Sequence, residues 1–170
     1  MDFIKLIQTR YSVRAYKPDP VPEEVLRQVL ESARLAPTAA NRQSFQILVV
    51  HTADKHAELK RLYPREWFLQ APLVIGLIAL PGQAWVRAQD GKNYAGVDAA
   101  IVMDHLILAA ADAGLGTCWI AAFDPQAARD LFHLPPGAEP VVFTPLGYPA
   151  DAPKPKHRKS LEQLIRYERW

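Results

Sequence analysis

Apolar residues recur along the chain in two rhythms, spans at helical spacing and short runs of unbroken apolarity, and the two take turns. Residues 2–9 place Phe3, Leu6 and Ile7 on one side of a short helix. Over residues 22–35 the spacing of Val25, Val29, Leu30 and Ala33 predicts a stronger amphipathic helix. Pro22 suits its first turn, Glu23 and Glu24 suit its positive end, and Pro37 stops it. Residues 45–51 read as a buried strand and residues 54–62 as an exposed helix. A second apolar strand spans residues 72–80, with proline tolerated at its first position. The longest apolar span, residues 93–113, predicts a central helix halted by Gly114-Leu115-Gly116. A short strand over 117–121 follows, then a helix from the Asp124-Pro125 cap through Phe132, and a last core strand over 141–146.

Strands that alternate with helices point to one sheet, and the alternation by itself suggests parallel strands. Three strands are continuously apolar, which predicts a sheet covered on both faces. No repeat or linker divides the chain, so residues 1–170 read as one domain, ending in an arm over about 150–170.

Composition narrows the classes. A net charge of +2 argues against a nucleic-acid binder working through bulk charge. The lone cysteine, Cys118, makes neither an internal disulfide nor a cysteine-rich zinc site, and suits a reducing, cytoplasmic setting. The first five residues lack the basic-then-apolar order of a signal peptide. The apolar span 95–113 carries Asp98, Asp104, His105 and Asp112, so it reads as a buried helix of a soluble protein, with no membrane partner. Seven of the 15 prolines fall between residues 135 and 155, which predicts an extended, irregular stretch there. There is no Gly-x-Gly-x-x-Gly fingerprint, phosphate-binding Walker loop, zincin histidine pair or Gly-x-Ser-x-Gly elbow.

Four clusters carry candidate chemistry. Arg10, Ser12 and Arg14 alternate, so an extended backbone would aim two guanidiniums and a hydroxyl the same way, as an anion cradle needs. Spacing alone favours an ordinary solvated turn. Pro37-Thr38-Ala39-Ala40-Asn41-Arg42-Gln43 lies between a helix end and a strand, where ligand loops and plain helix-stopping turns both occur. The segment 154–159, Lys-Pro-Lys-His-Arg-Lys, is by default a solvated basic tail. In Gly114-Leu115-Gly116-Thr117-Cys118-Trp119-Ile120 the glycines read as a helix stop, and Cys118 as a small buried apolar residue.

Arg-x-Ser-x-Arg, then Pro-Thr-x-x-Asn-x-Gln, Gly-Leu-Gly-Thr-Cys-Trp and Pro-Lys-x-Arg, in this order and spacing over nearly the whole chain, resemble the flavin-dependent nitroreductase family, in a short single-domain form. The resemblance implies an α+β fold with a mainly antiparallel sheet around a long central helix, and a homodimer with FMN at the subunit interface. It implies that Arg10 and Ser12 hold the phosphate and ribityl end of FMN, completed by Lys156 and Arg158, with Arg14 on the N1 side of the ring. Pro37, Thr38 and Asn41 match a loop lent by the other subunit, and Trp119, Ile120, Ala121 and Ala122 match a strand end passing the N5 edge. The implied activity is ping-pong hydride transfer from NAD(P)H through FMN to a nitroaromatic, a quinone or a similar small acceptor. FMN would carry the redox chemistry, so no catalytic side chain is needed. A cation at Arg14 would stabilise the negative charge of reduced flavin. Relatives of the same fold include reductive dehalogenases and a flavin-consuming oxygenase, and a non-catalytic FMN-binding protein is a further alternative. Two departures stand out: Ala121 occupies a position where many relatives have an acid, and Pro64-Arg65-Glu66-Trp67 lacks the asparagine some relatives carry.

Overall fold

The computed structural model describes residues 2–170; Met1, the first residue of the 1–170 unit, lies outside them. The elements run α1 (Phe3–Thr9), α2 (Glu23–Arg34), β1 (Phe45–His51), α3 (His56–Leu62), α4 (Glu66–Gln70), β2 (Leu73–Ala79), α5 (Ala95–Asp112), β3 (Gly116–Thr117), α6 (Pro125–Phe132), β4 (Glu139–Gly147) and α7 (Leu161–Leu164). Four strands form one sheet in the order β1-β2-β4-β3, and every pair is antiparallel. The fold is therefore α+β, and the parallel sheet suggested by alternation is overturned.

The cause lies in two connections. Between β1 and β2 the chain makes an excursion through α3 and α4, only seven and five residues long. Its base is pinched shut, with the Thr52 N–H donating to Pro72 O at 3.1 Å and the Thr52 hydroxyl to Ala71 O at 2.6 Å. The excursion thus ends where it began, and β2 returns beside β1. The second connection, β2–α5–β3, does keep one direction, because both strands are antiparallel to β4. β4 then inserts between them and removes the parallel pairing.

All seven residues of β2 are buried. Leu73, Ile75 and Leu77 pack with Val29 and Ala33 of α2 and Val102, Met103 and Leu106 of α5. Val74 and Ile78 pack on the other face with Leu59, Leu62, Phe68 and Phe143. The sheet is covered on both faces, as its apolar runs predict. Burying side chains of this size contributes roughly 1.5–3 kcal/mol each. The helix expected over 54–62 starts at His56, and its Leu59 and Leu62 are fully buried rather than exposed.

Two further expectations change. The proline-rich stretch is not irregular throughout: the strand expected over 141–146 is present as β4, and Pro140 and Pro145 both lie within it. Pro140 sits where the β2 register shifts, and Pro145 turns its missing donor toward β3. The strand expected over 117–121 shrinks to Gly116–Thr117 plus one bridge at Ile120. The Asp124 side chain caps α6, accepting from the N–H groups of Gln126 and Ala127, and Gly114 takes a positive φ of 75° just past α5. Among the described residues no helix is long and apolar enough to cross a membrane.

Candidate functional site

Residues 10–16 run beside β3. Ser12 bridges Thr117 in parallel, and the Val13 N–H donates to Thr117 O at 2.9 Å. Gly116 permits this approach, because a Cβ there would fall 2.7 Å from Val13 Cγ2. Val13 and Tyr16 point into the protein, 1% and 5% exposed. Arg10, Ser12 and Arg14 point the other way and line one cavity of about 300 Å³ together with Lys156 and Arg158. The alternation thus faces the three side chains into one basic cavity, and the basic tail folds back to line it.

Hydrogen bonds tie the two chain ends together. Ala150 N–H donates to Ala15 O at 2.8 Å and Lys17 N–H to Tyr148 O at 2.9 Å. The Tyr11 hydroxyl donates to Asp151 O at 2.8 Å and to Asp151 Oδ1 at 3.1 Å, and the Arg14 N–H donates to Asp151 Oδ2 at 2.8 Å. Lys156 Nζ donates to the carbonyls of Ile7 and Gln8, at the negative end of α1.

The cavity's charge is unbalanced. Among the described residues, no ion pair joins Arg10, Arg14, Lys156 or Arg158 to a carboxylate. Lys156 is held below the usual lysine value, first by loss of solvent and then by the charges of Arg10 and Arg158. Asp151 also lines the cavity, but its oxygens are engaged by Tyr11 and Arg14. Three arginine or lysine donor groups around a hydroxyl, with a fourth beside them, are the donor set of a phosphate site. The residues present fit the phosphate end of FMN. The Arg14 guanidinium lies 6.0 Å from the centre of the Trp67 ring, at the distance of a cation–π contact.

The second half of the candidate site lies where the sheet opens. Continuing the β3–β4 register from Thr117↔Leu146 to Ile120↔Phe143 sets Cys118 opposite Pro145. Proline has no N–H, so that hydrogen-bonded pair cannot close. The Cys118 N–H turns instead to the Thr144 hydroxyl at 3.0 Å. Trp119 swings out to 41% exposure, Ile120 stays buried, and Ala121 and Ala122 are exposed. Cys118 is buried beside Ser12. Burial pushes its thiol up, against opposing pulls from Arg14, Ser12 and Arg10.

Pro37, Thr38 and Asn41 are not among the residues around the basic cavity. They form a separate turn, Ala39–Asn41, in which the Thr38 hydroxyl accepts the Gln43 N–H at 3.1 Å. Ala40, Asn41 and Gln43 all have positive φ, 50°, 52° and 51°. A left-handed residue other than glycine costs roughly 1–2 kcal/mol, so the turn must be held from outside. The Ala39 N–H donates to Oδ1 of Asp98 on α5 at 2.9 Å.

Sequence reasoning missed Tyr11, Trp67, Asp98, Pro145 and Asp151. For Asp98 a signal existed: it shares the buried stripe of Ala95, Ala99, Val102 and Leu106 along α5, where a charge needs a reason. Asp151 gave none, since its partners lie 137 and 140 residues away.

Residues 7–65 and 56–148 match the model of the Nitroreductase family. This chain belongs to the nitroreductase family. A Thermus thermophilus relative named NADH dehydrogenase is 33% identical, over 92% of this chain and 91% of its own length. A Bacillus subtilis relative named FMN reductase [NAD(P)H] is 27% identical, over 98% and 74%. The crystal structure of a nitroreductase family protein from Clostridium difficile superposes with a TM-score of 0.92 at 33% identity, covering all of both chains. Family membership sets oxidoreduction as the class of reaction and confirms the nitroreductase-like fold.

Proposed function

We propose that this nitroreductase family protein is an FMN-dependent oxidoreductase that takes a hydride from NAD(P)H and passes it, by way of FMN, to a nitroaromatic, a quinone or a similar small acceptor. The observation that carries the reading is the unpaired basic cavity, in which Arg10, Ser12, Lys156 and Arg158 converge from the two ends of the chain. Bound FMN would supply the two-electron chemistry. The chain's own residues bind and orient it. Arg10, Lys156 and Arg158 neutralise the phosphate, and Ser12 offers a hydroxyl to the phosphate or ribityl chain. Arg14 places a cation at the N1 side of the ring, and Trp119–Ala122 present backbone to the N5 edge. The names of the Thermus and Bacillus relatives support NADH or NAD(P)H as donor.

The same reading makes the whole chain one FMN-binding unit that works as a homodimer, with Pro37, Thr38 and Asn41 reaching the partner's cofactor. Support comes from exposed apolar residues at both ends: Phe3 and Ile4 on α1, and Leu161, Leu164, Tyr167 and Trp170 in the arm. The deciding experiment is the visible spectrum of the purified protein and FMN titration of the stripped apoprotein, followed by NAD(P)H oxidation with menadione or a nitroaromatic acceptor. A yellow, dimeric protein that turns over is expected. A colourless protein that takes up no FMN would overturn the reading.

A further inference from the structure

Two buried side-chain oxygens, Asp98 Oδ2 and Ser44 Oγ, have no hydrogen-bond partner among the described residues, and each belongs to a residue that adjoins the 38–43 turn. Ser44, fully buried, directly follows Gln43 at the end of the 38–43 turn. Asp98, 1% exposed, holds the start of that turn through its other oxygen, by the Ala39 N–H. Asp98 stands in the first turn of α5, among buried apolar residues. A carboxylate there is costly to bury and is not engaged by any ion pair among the described residues. What it does engage is the Ala39 N–H, in a turn in which three residues other than glycine hold positive φ. Thr38 precedes that point in extended backbone, φ −133° and ψ 155°, and its hydroxyl closes the turn on Gln43.

We propose that Asp98 is a positioning residue that clamps the 38–43 turn through the Ala39 N–H, and so presents Thr38 and Asn41 in the conformation that FMN binding requires. The proposal rests on the FMN reading for its ligand. The clamp itself is a property of the apoprotein. Asp98 acts through the turn and touches no reacting atom. Its second oxygen has no hydrogen-bond partner among the described residues, and its burial in α5 ties the turn to a helix packed into the core.

The test uses the full chain in four forms: wild type, Asp98→Ala, Asp98→Asn and Ala39→Pro. Ala39→Pro removes the donor from the loop side without entering the core, since the extended Thr38 backbone suits the residue before a proline. It therefore remains informative if Asp98→Ala fails to fold. One readout is trypsin cleavage after Arg42, which is exposed in the turn. The other is FMN affinity, by fluorescence quenching. Cleavage at Arg42 should rise at least fivefold in Asp98→Ala and Ala39→Pro, and FMN binding should weaken about tenfold. Asp98→Asn, which keeps the acceptor oxygen, should stay close to wild type in both. Adding Thr38→Ala to Asp98→Ala should weaken FMN no further, because both changes act through one turn. Unchanged cleavage and affinity in Ala39→Pro, or additive losses in the double variant, would overturn the clamp. If wild type itself takes up no FMN, the proposed function fails, and the Arg42 cleavage series still decides the clamp.

Discussion

Val13 and Arg14 are adjacent in sequence and face opposite ways, one fully into the core and the other into the basic cavity. That alternation gives each side chain of the Arg10–Arg14 segment a separable task. Arg10→Ala removes a charged donor from the phosphate end, and charge-assisted hydrogen bonds contribute about 1.5–3 kcal/mol. FMN dissociation constants should therefore rise roughly ten- to a hundredfold, measured by titration of apoprotein. Arg14→Ala should instead lower the flavin midpoint potential, by about 30 mV if the cation contributes ~1.4 kcal/mol to a two-electron couple. If both variants merely loosen FMN to the same degree, the division of labour is wrong. Cys118 gives a prediction in pH. Its thiol is buried and its pKa lies above the usual value, so at neutral pH it is the protonated, unreactive form that persists. Alkylation of the native protein by iodoacetamide should be far slower than that of the unfolded chain, and its rate should climb only at pH values above those at which a free cysteine reacts. The shared facing of Arg10, Ser12 and Arg14 was legible, because alternation needs only an extended backbone. Asp151 was not, because its identity as the tie for Tyr11 and Arg14 depends on a contact across nearly the whole chain.

At the level of elements, the joint between the N-terminal segment and β3 depends on Gly116. Any side chain there meets Val13 at 2.7–3.0 Å, so Gly116→Ala must push the two strands apart. Overpacking of this kind costs roughly 1–3 kcal/mol. The thermal midpoint should fall, and FMN should bind more weakly as Ser12 moves with Val13; an unchanged midpoint would show that the joint yields without cost. Helices and strands were largely legible here, since periodicity is local: α2, α5, α6 and β1 appear within a few residues of the expected bounds. Strand direction was legible only through the family resemblance. It was set by the Thr52–Ala71 pinch and by the insertion of β4, and neither leaves a mark on the apolar pattern. The opening at Cys118 had a visible cause in Pro145, yet the proline acquires meaning only once Cys118 is known to lie opposite it.

For the whole molecule, the proposed FMN site would couple cofactor to stability. A ligand at a hundredfold excess over its dissociation constant adds about 2.7 kcal/mol to the folded state. For a chain of this length that is a rise of about 5–10 °C in thermal midpoint on saturation with FMN. A chain lacking residues 152–170 loses Lys156 and Arg158 and should show little of this rise, although the sheet and α5 are complete without them. An equal rise in the truncated chain would place the phosphate elsewhere. The arm resembles a solvated tail in composition, and its return to the N-terminal segment was legible only through the family resemblance.

The meeting of Arg10–Arg14 with residues 151–158 has a consequence in time as well as space. A chain is made from its N-terminus, so the first half of this cavity is made long before anything stands opposite it. Its partners, more than 130 residues downstream, are made well after it. The FMN phosphate of the proposed site would therefore find a complete berth only after residues 151–158 have been made and have folded back.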